Sequence, residues 1–171
     1  PKASAVVKLF SFLIDKDQIK VEVDFAGQRH PVEIPTGSAT QNFAPHPTGE
    51  VATYQGDEIE VPLIEIAHAR SGDKGNHSNI GVIARKADYL PWIRAALTEE
   101  AVASYMQHVL DAEKGRVIRY ELPGLNALNF MLENALGGGG VASLRIDPQG
   151  KAFAQQLLDM PVKVPAHLLE K

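Results

Sequence analysis

Residues 68–79 read HARSGDKGNHSN, twelve positions that hold an Arg, a Lys, two His, one Asp and several small hydroxyl or amide residues. Arg70 and Lys74 supply positive charge, while Ser71, Asn76, Ser78 and Asn79 supply short hydrogen-bonding groups. Gly72 and Gly75 frame a G-x-x-G turn, whose backbone can aim N–H groups outward at a ligand. That collection suits a phosphate or a carboxylate. His77 could carry a proton, and Asp73 could act as a base or pair with Lys74 or Arg70, so these two are the catalytic candidates. A plainer account competes: a hairpin loop whose Asp, Asn and Ser side chains satisfy only their own backbone. A lone G-x-x-G does not decide between them.

Four further features bear on chemistry. His68 alternates with Ile64 and Ile66, which points to a core or half-buried histidine rather than a catalyst. His68, Asp73 and His77 match no standard metal spacing, so no metal is expected. The glycine run at 137–140 is entropically costly, and implies either close approach of a ligand, with Gly138 and Gly139 as contacts, or simple flexibility. Asn126, Asn129 and Glu133 form a polar strip opposite leucines, either a solvated face or one wall of a polar pocket. The chain has no Walker-type phosphate loop, no G-x-S-x-G elbow and no H-E-x-x-H.

The elements that must position these residues divide at a linker. Residues 5–34 read as a β-rich meander with turns at 15–17 and 26–28. Residues 35–57 are rich in Pro, Gly, Ser and Thr without apolar periodicity, so the expected division is 1–57 and 58–171. Beyond it, IEVPLIEIAHA and NIGVIAR predict strands joined by the reactive loop. Asp88 is placed to cap a short helix, YLPWIRAAL, with Pro91 in its first turn. Thr98 is placed to cap a second, whose Val102, Tyr105, Met106, Val109 and Leu110 make one buried face.

GRVIRYEL predicts a third strand, and Leu125, Leu128, Met131, Leu132 and Leu136 stripe a third helix that the glycine run stops. VASLRI reads as a fourth strand. Asp147-Pro148 opens a last helix, and the proline-bearing tail from 161 reads as irregular. The expectation is an α+β, ferredoxin-like sandwich: a four-stranded sheet with helices on one face, preceded by a β-rich segment.

Composition narrows the function. A net charge of −4 and a pI near 5.9 argue against broad nucleic-acid binding. The absence of cysteine excludes disulfides and thiolate metal sites and fits a cytoplasmic home. No apolar run approaches the roughly 20 residues of a membrane span, and no signal peptide is visible. The chain opens with Pro1, which reads as a fragment of a longer protein.

From ARSGDKGNHSNIGVIAR through LPWIRAALT and ELPGLNALNFMLENALGGGG to VASLRIDPQGKAFAQQLL, the sequence resembles the C-terminal part of acyclic terpene utilisation (AtuA-type) proteins. The resemblance covers about residues 60–160. It implies a small ferredoxin-like C-terminal domain, a missing large N-terminal domain as partner, and a link to citronellol- or geraniol-type catabolism through acyl-CoA intermediates. No catalytic residue is carried over, but residues 70–79 and 137–140 coincide with the hallmark strings, which favours ligand contact. Ligand contacts are therefore expected from Arg70, Ser71, Gly72, Lys74, Gly75, Asn76, Asn79, Gly138 and Gly139.

The expected role is part of a hydratase- or lyase-type acyl-CoA enzyme, inactive as an isolated chain. No cofactor is expected, and the partners would be a small molecule and further copies of the chain. A noncatalytic oligomerisation or docking module is the alternative.

Overall fold

The computed structural model describes residues 10, 12–35, 37 and 56–169. They belong to two compact units, Leu9–Pro45 and one that includes His46–Lys171. In the first, β1 (Glu22–Phe25) and β2 (Gln28–Pro31) pair antiparallel as a hairpin. Its turn residues Ala26 and Gly27 both have positive φ, the type I′ geometry that matches strand twist. All residues of both strands are exposed. The strand expected over 5–14 and the linker over 35–57 lie largely outside the described residues.

The second unit contains β3 (Glu58–Pro62), β4 (Ala67–Lys74), β5 (His77–Ala84), α1 (Leu90–Ala96), α2 (Glu99–Tyr105), β6 (Arg116–Leu122), β7 (Ala127–Glu133), α3 (Phe153–Leu158) and β8 (Pro161–Pro165). Four strands form one antiparallel sheet in the order β4-β5-β7-β6, and β3 pairs with β8 as a separate ribbon. The α+β class with a four-stranded sheet holds. Which segments form strands differs from the expectation in four places.

The segment IEVPLIEIAHA is two strands, because Pro62 ends β3 and a 3₁₀ turn at Leu63–Glu65 redirects the chain into another sheet. The leucine-striped segment is the strand β7, not a helix. Leu128, Phe130 and Leu132 are its buried alternate residues, while Leu125 lies in the preceding turn and Leu136 beyond the strand. VASLRI forms no strand, and its Val141, Leu144 and Ile146 are exposed. The tail forms β8, with Val162 and Val164 buried and prolines at its two ends, where a missing N–H costs least.

The helix ends match the sequence expectation at one of three positions. Thr98 caps α2, its Oγ1 accepting from the Ala101 N–H at 3.1 Å. Asp88 does not cap α1, because a 3₁₀ turn at Ala87–Tyr89 precedes that helix and Tyr89 occupies the cap position. Asp147 instead accepts from the Lys151 and Ala152 amides and ties down the loop ahead of α3.

The core lies on one face of the sheet. Ile80, Val82, Leu128, Phe130, Leu132 and Val117 project there and pack with Ile93, Leu97, Val102, Met106, Phe153 and Leu157 from the helical segments. Ser71 on that face meets α3 through the Ala154 amide. Arg119 and Glu121, also on it, bond to Leu97 O and to Arg94 in α1. The helices thus cover one side of the sheet. Its other side, which no described helix covers, presents residues such as Arg70, Lys74, Ile83, Tyr120 and Arg116, all exposed.

Candidate functional site

The stretch 68–79 is mostly strand rather than loop. β4 runs through Lys74 and β5 starts at His77, leaving only Gly75 and Asn76 as the turn. Gly75 has φ +68 while Asn76 is not left-handed, so the connection is a type II′ hairpin, which favours glycine at its first position. The period of two then sorts the expected site residues onto opposite faces. Pairing of Arg70 with Gly81, Gly72 with Asn79 and Lys74 with His77 puts these residues on the uncovered face. Ser71, Asp73 and Ser78 alternate with them and face the helices.

Ser71 and Ser78 are structural. Ser71 Oγ donates to Lys151 O at 3.1 Å and accepts from Ala154 N at 2.9 Å, joining the edge strand to α3. Ser78 Oγ donates to Gly72 O at 2.9 Å from a fully buried position. Gly150 has φ +61, and a Cβ there would lie 2.6 Å from Ser78 Oγ, so only glycine permits this approach.

The turn and the glycine run do meet, through bonds made between them. Asn76 Oδ1 accepts from Gly138 N at 2.6 Å, Asn76 O accepts from Leu136 N, and Asn76 Nδ2 donates to Asn134 Oδ1. A Cβ on Gly139 would lie 3.1 Å from Gly75 O. His77 joins this clamp, its Nδ1 accepting from Asn134 N at 2.9 Å. A backbone amide can only donate, so Nδ1 is the unprotonated ring nitrogen. Asp73 alternates onto the other face and lies 4.0 Å from Lys151 Nζ, so the two catalytic candidates do not form an acid–base pair.

The expected cations form a different site. A hollow of about 410 Å³ at the β4 edge of the sheet, where residues of both faces are reached, is lined by Arg70, Ser71, Gly72, Asp73, Lys74, Asn79, Gly81 and Lys151. Lys74 Nζ donates to Asn79 Oδ1 at 3.2 Å and to Asp73 O at 3.0 Å, and Asn79 Nδ2 donates to Asn129 Oδ1 at 3.1 Å. This chain across three strands holds the ammonium in place. The Arg70 side chain makes no hydrogen bond or ion pair among the described residues. The glycine run is not among the lining residues, so Gly138 and Gly139 stand apart from this hollow.

Two participants escaped the sequence reading. Lys151 comes from a segment 80 positions beyond Ser71, positioned by the Asp147 carboxylate and by the Ser71 hydroxyl. Gly81 sits mid-strand, where only its small size signalled an opening. Asn129 belongs to the polar strip, and its four-residue spacing from Glu133 places both on one face of a strand as well. His68 is exposed rather than core-facing, its Nε2 accepting from Arg85 Nη1 at 3.2 Å. No three His, Asp or Glu side chains gather as a metal site among the described residues. None of the described helices is long and apolar enough to cross a membrane.

Comparison with known proteins agrees with this architecture. Neither the characterised proteins nor the solved structures compared with this chain gave a match. The family model of the AtuA ferredoxin-like domain matches residues 61–163, a span that takes in the whole four-stranded sheet, its helices and most of β8. The chain belongs to the AtuA ferredoxin-like domain family.

Proposed function

We propose that this domain serves cytoplasmic acyclic isoprenoid catabolism of the citronellol or geraniol type, by holding an acyl-CoA or another anionic substrate. A large N-terminal AtuA-type domain would act beside it. The observation that carries the reading is the convergence of Arg70, Lys74 and Lys151 around glycine-floored backbone, with Asp73 as the lone carboxylate in the lining. On a chain of net charge −4, a local cationic hollow is specific attraction rather than general basicity. Arg70 offers a planar fork suited to carboxylate or phosphate.

No nucleophile in the hollow is paired with an oriented base, so hydration or carbon–carbon cleavage would need groups from the N-terminal domain, and the isolated chain should be inactive. Titrating an acyl-CoA into the full chain and into its Arg70→Ala/Lys74→Ala variant tests the reading. The expected loss is about tenfold or more, and equal affinities in two folded proteins would overturn it. A docking or oligomerisation module is the second reading, favoured by Ile83, Tyr120 and Leu125, which are exposed apolar groups on or beside the same sheet face.

A further inference from the structure

Beside the cationic hollow lies a second one, of about 340 Å³, and its chemistry is different. Aliphatic side chains dominate its wall, chiefly Ile83, Leu122, Leu125 and the Ala127 edge of β7, with His68 at the rim. Arg70 and Gly81 line both hollows. The pairing register explains why they are continuous. Arg70 and Gly81 are opposite one another, and His68 and Ile83 form the next pair on the same face. Gly72 and Asn79 form the pair on the other side. Each step between such pairs advances about 7 Å along the strands. An anion at Gly72 and Asn79 therefore lies about 14 Å from the apolar pair His68 and Ile83, with Gly81 midway.

Gly81 is not demanded by its backbone. Its φ is not in the left-handed region, and a Cβ there would meet only Arg70 O at 3.9 Å and Asn129 Oδ1 at 4.0 Å, ordinary contacts. A glycine inside a strand weakens it, so what this one supplies is the space above it. Any side chain at 81 would stand between the two hollows. A cationic end, an unobstructed floor and an aliphatic end together select a ligand of matching polarity.

We infer, building on the anion-binding reading above, that this sheet face binds an amphipathic organic anion. Its carboxylate or phosphate head rests at Arg70 and Lys74, and its apolar chain crosses Gly81 into the hollow of Ile83, Leu122 and Leu125. Gly81 is then the residue that sets which chain lengths are accepted.

Calorimetric titration of the full chain with butyrate, decanoate and decyl phosphate separates the parts of this inference. Decanoate should bind at least about tenfold more tightly than butyrate, since burial of several methylenes more than covers that ratio. In Gly81→Val that ratio should fall toward one, while circular dichroism reports an intact fold. Leu125→Ser should lower the ratio by a smaller factor. A native ratio near one would overturn the inference; butyrate binding that Arg70→Ala/Lys74→Ala abolishes would then leave the anion reading standing. Failure of a folded protein to bind any of the three would sink both. Decanoate bound as tightly by Arg70→Ala/Lys74→Ala would show plain hydrophobic adsorption, and dimers broken by Ile83→Asp would show that another copy occupies the apolar hollow. Either outcome overturns the inference. Decanoate against decyl phosphate identifies which head is preferred.

Discussion

Two arginines on the main sheet unit show how differently its two sides are built. Arg94 in α1 reaches the covered side, is nearly buried, and forks onto Glu121, with Nε at 3.1 and 3.2 Å and Nη2 at 3.0 Å from the carboxylate. Arg119 packs beside it and donates to the carbonyls of Arg94 and Leu97. Arg70 on the uncovered side is exposed and has no partner among the described residues. A buried guanidinium must be fully paired, or its desolvation is uncompensated. An exposed one near two lysines, with no side-chain partner among the described residues, keeps its hydrogen-bonding capacity for something else. One side of the sheet is closed by its own chain; the other is left with chemistry to spare.

The largest expected effect breaks the closed side. Arg94→Ala would leave the half-buried Glu121 with the Arg119 guanidinium, 3.8 Å away, in place of its bidentate partner, and should cost about 3 kcal/mol of folding free energy. Arg70→Ala should change stability by about 0.5 kcal/mol or less. Urea denaturation of both variants measures the contrast. Comparable losses would mean that Arg70 carries structural bonds after all.

A smaller effect belongs to the clamp between the hairpin turn and the glycine run. Gly139 has φ +94, where L side chains are strained, and its Cβ would press on Gly75 O. Gly139→Ala should destabilise by about 1–3 kcal/mol. Thermal unfolding checks this, with Gly75→Ala as the comparison. At Gly75, φ is also positive but the space is empty, so only the backbone cost applies.

These cases show what a single sequence discloses. Thr98 was legible as a cap because its signal is local: a hydroxyl ahead of two glutamates and an amphipathic turn. The charge of Arg70 and Lys74 was legible for the same reason, although whether they sit in loop or strand was not. The leucines of β7 were misread because positions 128, 132 and 136 satisfy both a helical and an extended repeat, and leucine has no strong strand preference to decide. Phe130, the buried alternate residue between Leu128 and Leu132, was the overlooked strand signal. The prolines of β8 argued against regular structure, yet a two-stranded ribbon tolerates them at its ends. Lys151 could not be found from sequence, since its place depends on Ser71 accepting from Ala154 across the sheet edge.

The uncovered side can be probed more gently at Asn129. This residue touches the cations only through Asn79, whose amide donates to it. Asn129→Ala should leave Arg70 and Lys151 in place but free Asn79 to rotate, and so loosen Lys74. Anion affinity should fall by a few-fold, less than in Arg70→Ala/Lys74→Ala, with stability changed by about 1 kcal/mol or less. Titration of decanoate into both variants orders the effects. A loss as large as that of the double variant would make Asn129 a direct contact.

The smallest effect lies outside both faces, in the turn that delivers β6, and gives a baseline for acid sensitivity. Asp111 Oδ1 accepts from Lys114 N at 2.8 Å and Glu113 N at 3.0 Å. Those amides, Lys114 first, favour the ionised carboxylate and hold it below its ordinary value of 3.8. A carboxyl depressed in the folded state contributes stability above its unfolded value and loses it as pH falls through the folded one. The window is therefore entirely acidic, below about pH 4. Asp111→Asn keeps an acceptor for the same amides without the charge. It should be slightly less stable than the native chain at neutral pH, and the two should converge as pH drops through that window. Urea midpoints measured at neutral pH and at two acidic values would show the convergence. A constant offset at every pH would mean that the turn depends on the shape of the side chain and not on its charge.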